Sequence, residues 1–181
     1  MSEFGSLIAR DTVRIERTLP GPIERVWEDL TKSDKRATWL AAGEMEPRLG
    51  GKAEHIFRNN SHTAKDDPPP AKYASTEDYY RMEGRITVFE PPHRLGYTWG
   101  EERGDDSEVL FELAPSGGNV RLVVTHSRLA TRDDMVSVGA GWHAHLDILA
   151  ARLAGREPEG FWRSHTRLEA EYETRIPTEE N

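Results

Sequence analysis

Residues 109–153, VLFELAPSGGNVRLVVTHSRLATRDDMVSVGAGWHAHLDILAARL, decide how the rest of the chain is read. Val109, Phe111 and Leu113 form one alternating run, and Val120, Leu122, Val124 and His126 form another after Pro115-Ser116-Gly117-Gly118-Asn119. Two runs of period 2 around a Gly-Gly turn predict a β-hairpin. The period then changes. Met135, Val138, Trp142, Leu146, Leu149 and Leu153 follow at spacings of 3, 4, 4, 3 and 4, a helical stripe running from about Arg132 to Ala154. At 1.5 Å per residue that helix is roughly 34 Å long, and Gly155 is a natural stop. A sheet with one apolar face must be covered, and this stripe is the matching cover.

Upstream, Val13, Ile15, Arg17 and Leu19 alternate with Arg14, Glu16 and Thr18, a further strand ended by Pro20-Gly21-Pro22. Ile23, Val26, Trp27 and Leu30 then fall at i, i+3, i+4 and i+7, predicting a short amphipathic helix that Pro22 can start. Ser33 or Asp34 is an N-cap candidate for a second short helix carrying Trp39 and Leu40. After the Gly50-Gly51 turn, strand signals run through Ala53, His55 and Phe57, through Met82, Gly84, Ile86 and Val88, and through Leu95, Tyr97 and Trp99. From Glu44 to Ser127 this reads as a meander of about six antiparallel strands. The stretch from Asn59 to Tyr80 interrupts it. Its three successive prolines, Pro68 to Pro70, exclude a central strand and predict a long loop or lid. Beyond Pro158, Phe161, His165, Leu168 and Tyr172 suggest another helix, with Ile176 to Asn181 as a loose tail.

A chain of 181 residues is single-domain in size and large enough for a core without staples. Its formal net charge of −8 argues against binding nucleic acid through its phosphates. No run is long and apolar enough to span a membrane, and the first ten residues lack a secretory pattern, so a cytoplasmic protein is expected. Zero cysteines remove disulfides, thiolate metal sites and thiol nucleophiles together.

The segments RTLPGPIERVWEDLT, the following Trp39, the GGK turn at Gly50 to Lys52, GRITVFEPPHRLGYTW, GGNVRLVVTHSRL and GWHAHLDILAARLAG, in that order, resemble the START-like or Bet v 1-like (SRPBCC) helix-grip superfamily. Within it they look most like the branch of the activator of heat-shock protein 90 ATPase homologue 1. The resemblance covers about Val13 to Gly155. It implies an α+β helix-grip fold: a curved antiparallel sheet of six to seven strands wrapped around the long helix, with two short helices after the first strand. Residues 1–12 and 156–181 are then an N-terminal extension and a helical C-terminal extension. Two departures stand out: the Asn59 to Tyr80 stretch is longer than such a connection needs, and a helix follows Gly155. Eukaryotic activators also carry a separate N-terminal domain, whereas about twelve residues precede the first strand here.

The resemblance also implies a cavity between sheet and long helix that holds an apolar ligand. Its strand side would be Phe57, Ile86, Val88, Tyr97, Trp99, Phe111, Leu122 and Val124; its helix side Met135, Val138, Trp142, Leu146 and Leu149. The competing reading is that these residues are simply the core. A pocket also needs a few convergent polar groups, and His55, Tyr97, His126 and His145 are the candidates. A three-histidine metal site from positions 55, 126 and 145 is conceivable, but hydrogen-bonded core histidines are the commoner outcome, and no metal or cofactor is expected. His143 and His145 point about 160° apart on a helix and cannot share an ion. There is no G-x-S-x-G, and Gly51-Lys52 is followed by Ala53, not by the Ser or Thr of a P-loop. Gly139-Ala140-Gly141 lacks the third glycine of a dinucleotide fingerprint and suits close packing of helix on sheet. The leading expectation is a non-enzymatic domain binding an apolar or amphipathic small molecule. The alternatives are a stress- or chaperone-associated interaction protein, and a cyclase- or hydrolase-like enzyme using His126, His145 or Tyr97. Monomer and homodimer are both open, with Phe161, Trp162 and Leu168 expected to pack on the parent domain.

Overall fold

A computed structural model describes residues 3–100 and 107–178. In chain order the elements are β1 (Ser6–Ala9), β2 (Thr12–Pro20), α1 (Ile23–Thr31), α2 (Ser33–Arg36), β3 (Lys52–Phe57), β4 (Tyr80–Glu90), β5 (Arg94–Thr98), β6 (Glu108–Ser116), β7 (Asn119–Ser127), α3 (Arg132–Leu153) and α4 (Phe161–Arg175). Among the described residues seven strands form one sheet ordered β1-β2-β7-β6-β5-β4-β3. Its neighbouring strands are all antiparallel. The fold is the expected α+β helix grip.

Register explains the grip. Ile15 faces Val124, which faces Phe111, while Val13 faces His126, which faces Val109. Because side chains alternate across a strand, these rows put one continuous apolar face against α3. The helix starts where Thr131 accepts the amide of Asp134 and the Asp134 carboxylate accepts that of Thr131, each at 3.1 Å. This reciprocal pair is a capping box. Met135, Trp142, Leu146, Leu149 and Leu153 are buried as the stripe predicts. No helix among the described residues is long and apolar enough to cross a membrane.

Three details differ from the sequence expectation. Ser6–Ala9, placed in an extension before the domain, adds an edge strand to β2. The span from Glu44 to Ser127 holds five strands rather than six, since Ala42 and Met45 make only isolated bridges to Ile56 and Ala53. Helix α2 stops at Arg36, so Trp39 and Leu40 sit in the turn beyond it, both buried. Helix α4 ends at Arg175, where the expected tail begins, and residues 179–181 of that tail lie outside the described residues.

Arg36 fixes that turn. Its fully buried guanidinium donates to the carbonyls of Ala41 (3.0 Å), Leu30 (3.3 Å), Thr31 (3.4 Å), Gly43 (2.6 Å) and Glu54 (3.2 Å). One side chain thus ties the end of α1, the turn and β3 together. Trp39 adds an indole hydrogen bond to the Asp29 carbonyl at 2.8 Å.

The segment between β3 and β4 is a built structure. Two 3₁₀ turns, Asn59–Ser61 and Ala71–Tyr73, lie against α4. The Asp66 carboxylate accepts the amides of Trp162 (2.9 Å) and Arg163 (3.1 Å), and Thr63 Oγ1 accepts that of Phe161 (3.2 Å). These are the first-turn amides of α4, which have no intrahelical partner. Gly160 is required there, because a Cβ would lie 2.6 Å from the Asp66 carboxylate. Further along, Trp162 Nε1 donates to Asn60 Oδ1 at 2.7 Å, and the Tyr73 ring stacks on Trp162 at 5.5 Å. Phe161, Trp162 and Leu168 are buried within the chain.

Gly139 serves this helix pair rather than the sheet: a Cβ there would meet the Tyr172 ring at 3.0 Å. Replacing Asp66 with Ala is expected to cost about 1–2 kcal/mol, the usual loss for a removed N-cap. Hydrogen exchange would locate the effect, with faster exchange at residues 161–164 and unchanged protection in α3. Equal exchange in both variants would mean that Asp66 does not hold the helix.

Candidate functional site

The interior directly between sheet and α3 is filled. Ile86, Tyr97, Phe111, Leu122, Val124, Met135, Leu146 and Leu149 are buried in one contiguous core. Aromatic edges lock it, with Tyr97 to Phe111 at 5.7 Å and Phe111 to Trp142 at 5.4 Å. Val88 lies off this face. Between Ile86, which pairs with Tyr97, and Val88, which pairs with Gly96, the register shifts by one residue. Such a bulge exchanges the two faces of the strand. Phe89 therefore takes the inward position, 5.7 Å from Trp27 of α1.

Open space lies to one side of that core. A cleft of about 970 Å³ is bounded by the N-terminal half of α3, the ends of β3, β4 and β5, the 59–80 segment and the first turn of α4. Of the expected lining, Phe57, Trp99, Val138, Trp142 and His145 reach it. Asn59, Tyr73, Phe161, Trp162 and His165 complete the wall from the two segments that depart from the family pattern. Gly141 makes room for it, since a Cβ at this position would meet nothing within 4 Å.

The polar candidates do not converge. His126 accepts the Trp142 indole N–H at Nδ1 (3.0 Å), so its proton is on Nε2, which faces Ser107 Oγ at 3.1 Å. Burial takes this imidazole down to about 3. Ser107 is on the cleft wall, but His126 is shut behind Trp99, whose ring lies 5.4 Å away. His55 and Tyr97 bond to each other, Nε2 to Oη at 3.1 Å, in full burial. Desolvation drives the imidazole well below its ordinary value and the phenol well above its own. Each of the three histidines once weighed as a metal set has its own separate partner. Among the described residues no group of three His, Asp or Glu side chains could hold an ion.

His145 differs from the other two. Its Nδ1 donates to the Trp39 carbonyl at 2.8 Å, so the Arg36-braced turn sets its ring. A carbonyl only accepts, which puts the proton on Nδ1 and the lone pair on Nε2 at the cleft wall. Burial first, then the neighbouring His62 5.3 Å away, holds this ring neutral far below the usual histidine value. The rim cations are engaged: Lys72 with Glu169, Arg128 with Glu108 at 3.2 Å, and Arg81 with Glu54 at 2.5 Å. A neutral imidazole of such low basicity is a hydrogen-bond acceptor rather than a proton-abstracting group.

No curated protein matches the chain. Solved structures do. A protein of Bordetella parapertussis determined by NMR in solution shares 43% identity over 99% of this chain and 94% of its own, with a TM-score of 0.80. CalU16 of Micromonospora echinospora superposes with a TM-score of 0.67 at 21% identity, over 92% of this chain and 89% of its own. An Aha1 dimer from Colwellia psychrerythraea reaches 0.58 at 17% identity, over 78% and 95%. At those identities the last two show the fold alone. The family model described as Activator of Hsp90 ATPase homolog 1-like protein matches residues 20–154, from the end of β2 to the end of α3. On that match the chain belongs to the Activator of Hsp90 ATPase homolog 1-like family, within the helix-grip superfamily.

Proposed function

We propose that the protein binds an apolar or amphipathic small molecule in this cleft and acts as a binding domain rather than a catalyst. The observation that carries the reading is the wall itself. Phe57, Trp99, Trp142, Phe161 and Trp162 line a cleft of about 970 Å³, within the upper range of small-molecule pockets, while charged side chains such as Lys72, Glu77, Asp78, Arg81 and Arg128 lie along it. The histidines offered for acid–base work support binding over catalysis, since His55 and His126 are committed elsewhere and His145 is a weak base. The ligand would enter past the 59–80 segment, which takes the part of a lid.

Native mass spectrometry of gently purified protein tests this. An excess mass of a few hundred daltons, lost on denaturation, is the expected result. Gly141→Leu, whose Cβ enters open space at the cleft wall, should fold normally and lose that mass. Excess mass retained in full by the variant would place the ligand elsewhere. The family description makes association with a heat-shock protein 90 homologue the competing reading. A bare mass for the wild type, together with a complex with such a homologue, would favour it.

A further inference from the structure

The aromatic wall says that a ligand is largely apolar; the unmet polar atoms of the same wall say more. His145 spends its only proton on the Trp39 carbonyl and turns a bare Nε2 to the cleft. His165 is 5% exposed, lines the cleft and makes no hydrogen bond among the described residues. Its Nδ1 lies 3.6 Å from Glu169, a carboxylate already engaged by Lys72 and by Tyr73 Oη at 2.7 Å. An N–H directed at Glu169 leaves His165 Nε2 as its acceptor nitrogen. Asn59 Oδ1, in the same wall, is buried without a partner as well. Both imidazoles pack on Phe161, at 4.7 Å and 5.6 Å between ring centres. With the Nδ1–H of His165 turned toward Glu169, the lone pairs left on His145 Nε2, His165 Nε2 and Asn59 Oδ1 belong to residues at the α4 end of the cleft, and the three rim cations Lys72, Arg81 and Arg128 are all paired with carboxylates.

Resting on the binding reading above, we infer that the cleft selects an apolar ring compound carrying a hydrogen-bond donor, a phenolic or alcoholic hydroxyl, and rejects carboxylates. A hydroxyl placed at Phe161 donates to the lone pair of His145 Nε2 or His165 Nε2. A carboxylate brings further lone pairs to the same place and a charge with no cation to meet it. Burial lowers the basicity of both rings, so neither becomes a donor to an anion near neutral pH.

Three probes of one shape separate these possibilities: β-naphthol, its methyl ether and β-naphthoate, titrated calorimetrically into the full chain near neutral pH. The naphthol is expected to bind about tenfold more tightly than the ether, the worth of one hydrogen bond to an otherwise unmet group. The naphthoate should be weaker than the ether by tenfold or more, because a buried charge there is unpaired. In His145→Phe/His165→Phe the advantage of naphthol over ether should vanish. Equal affinity of naphthol and ether for the wild type, or a preference for naphthoate, overturns the inference while leaving the cleft a binding site. Failure of all three probes to bind overturns the binding reading itself. Should the double variant fail to fold, the wild-type ranking decides alone.

Discussion

Acidification from pH 7 should unfold the protein with a midpoint at about pH 5, well above the range in which its carboxylates protonate. The cause is the set of six buried histidines. Burial takes His62 and His143 to about 4, His126 to about 3, and lowers His55, His145 and His165 as well. In the unfolded chain each returns to about 6.5. A group held neutral by folding contributes nothing against acid above its unfolded value, and its stabilisation is lost as pH falls from about 6.5 toward its folded value. Each such histidine forfeits about 1.4 kcal/mol per pH unit in that window. By about pH 5 the five held well below the ordinary value, His55, His62, His126, His143 and His145, together reach the ~5–15 kcal/mol that holds a domain folded. Asp29 and Asp147, whose carboxyls burial raises, act in the opposite sense. Tryptophan fluorescence against pH measures the transition. A chain still folded at pH 4 would show that these rings protonate in place.

Arg36→Met should be the most destabilising single substitution outside the aromatic core, by about 3–5 kcal/mol. The methionine fills much of the volume but leaves five carbonyls, those of Leu30, Thr31, Ala41, Gly43 and Glu54, without the guanidinium that meets them, three of them in buried contacts. For a chain of this length that corresponds to a fall in Tm of roughly 10–15 °C. Arg36→Lys should recover little, because an ammonium group cannot reach carbonyls on three segments from one position. Thermal melts of both variants decide the matter. A Met variant within two or three degrees of wild type, as ~1 kcal/mol would give, would mean that water replaces the guanidinium. Binding should suffer too, since the braced turn carries the Trp39 carbonyl that orients His145.

The sheet, the hairpin and α3 were legible because each is written as an unbroken period with its stop signals. What failed to show was anything depending on a partner distant in sequence. A four-residue edge strand at Ser6–Ala9 has too few residues for a period. The bulge between Ile86 and Val88 leaves no mark in a run that alternates well, so Val88 was placed on the face that Phe89 occupies. The apolar rows at Ile86, Tyr97, Phe111 and Val124 were recognisable as inward-facing. Whether inward meant core or cavity turned on volumes that one sequence does not give. The missing wall residues left a faint signal: Tyr73 beside the prolines, and Phe161, Trp162 and His165 crowded at the start of a polar helix. Arg36 left none, since a buried arginine reads as a surface one until its carbonyls are in place.

Asp66 joins two features that look independent in the chain, the long connection after β3 and the helix after Gly155. Neither is complete without the other: the helix lacks its cap without the loop, and the loop has no surface to lie on without the helix. They amount to a single structural unit written in two places, with most of the sheet and all of α3 between them. A chain without α4 would lose one side of the cleft and uncover the face of α3 that packs on Tyr172. Its loop would then be free to shorten to a plain turn. The grip and this wall can therefore change separately, and changes of ligand choice would fall on the second while the first held still.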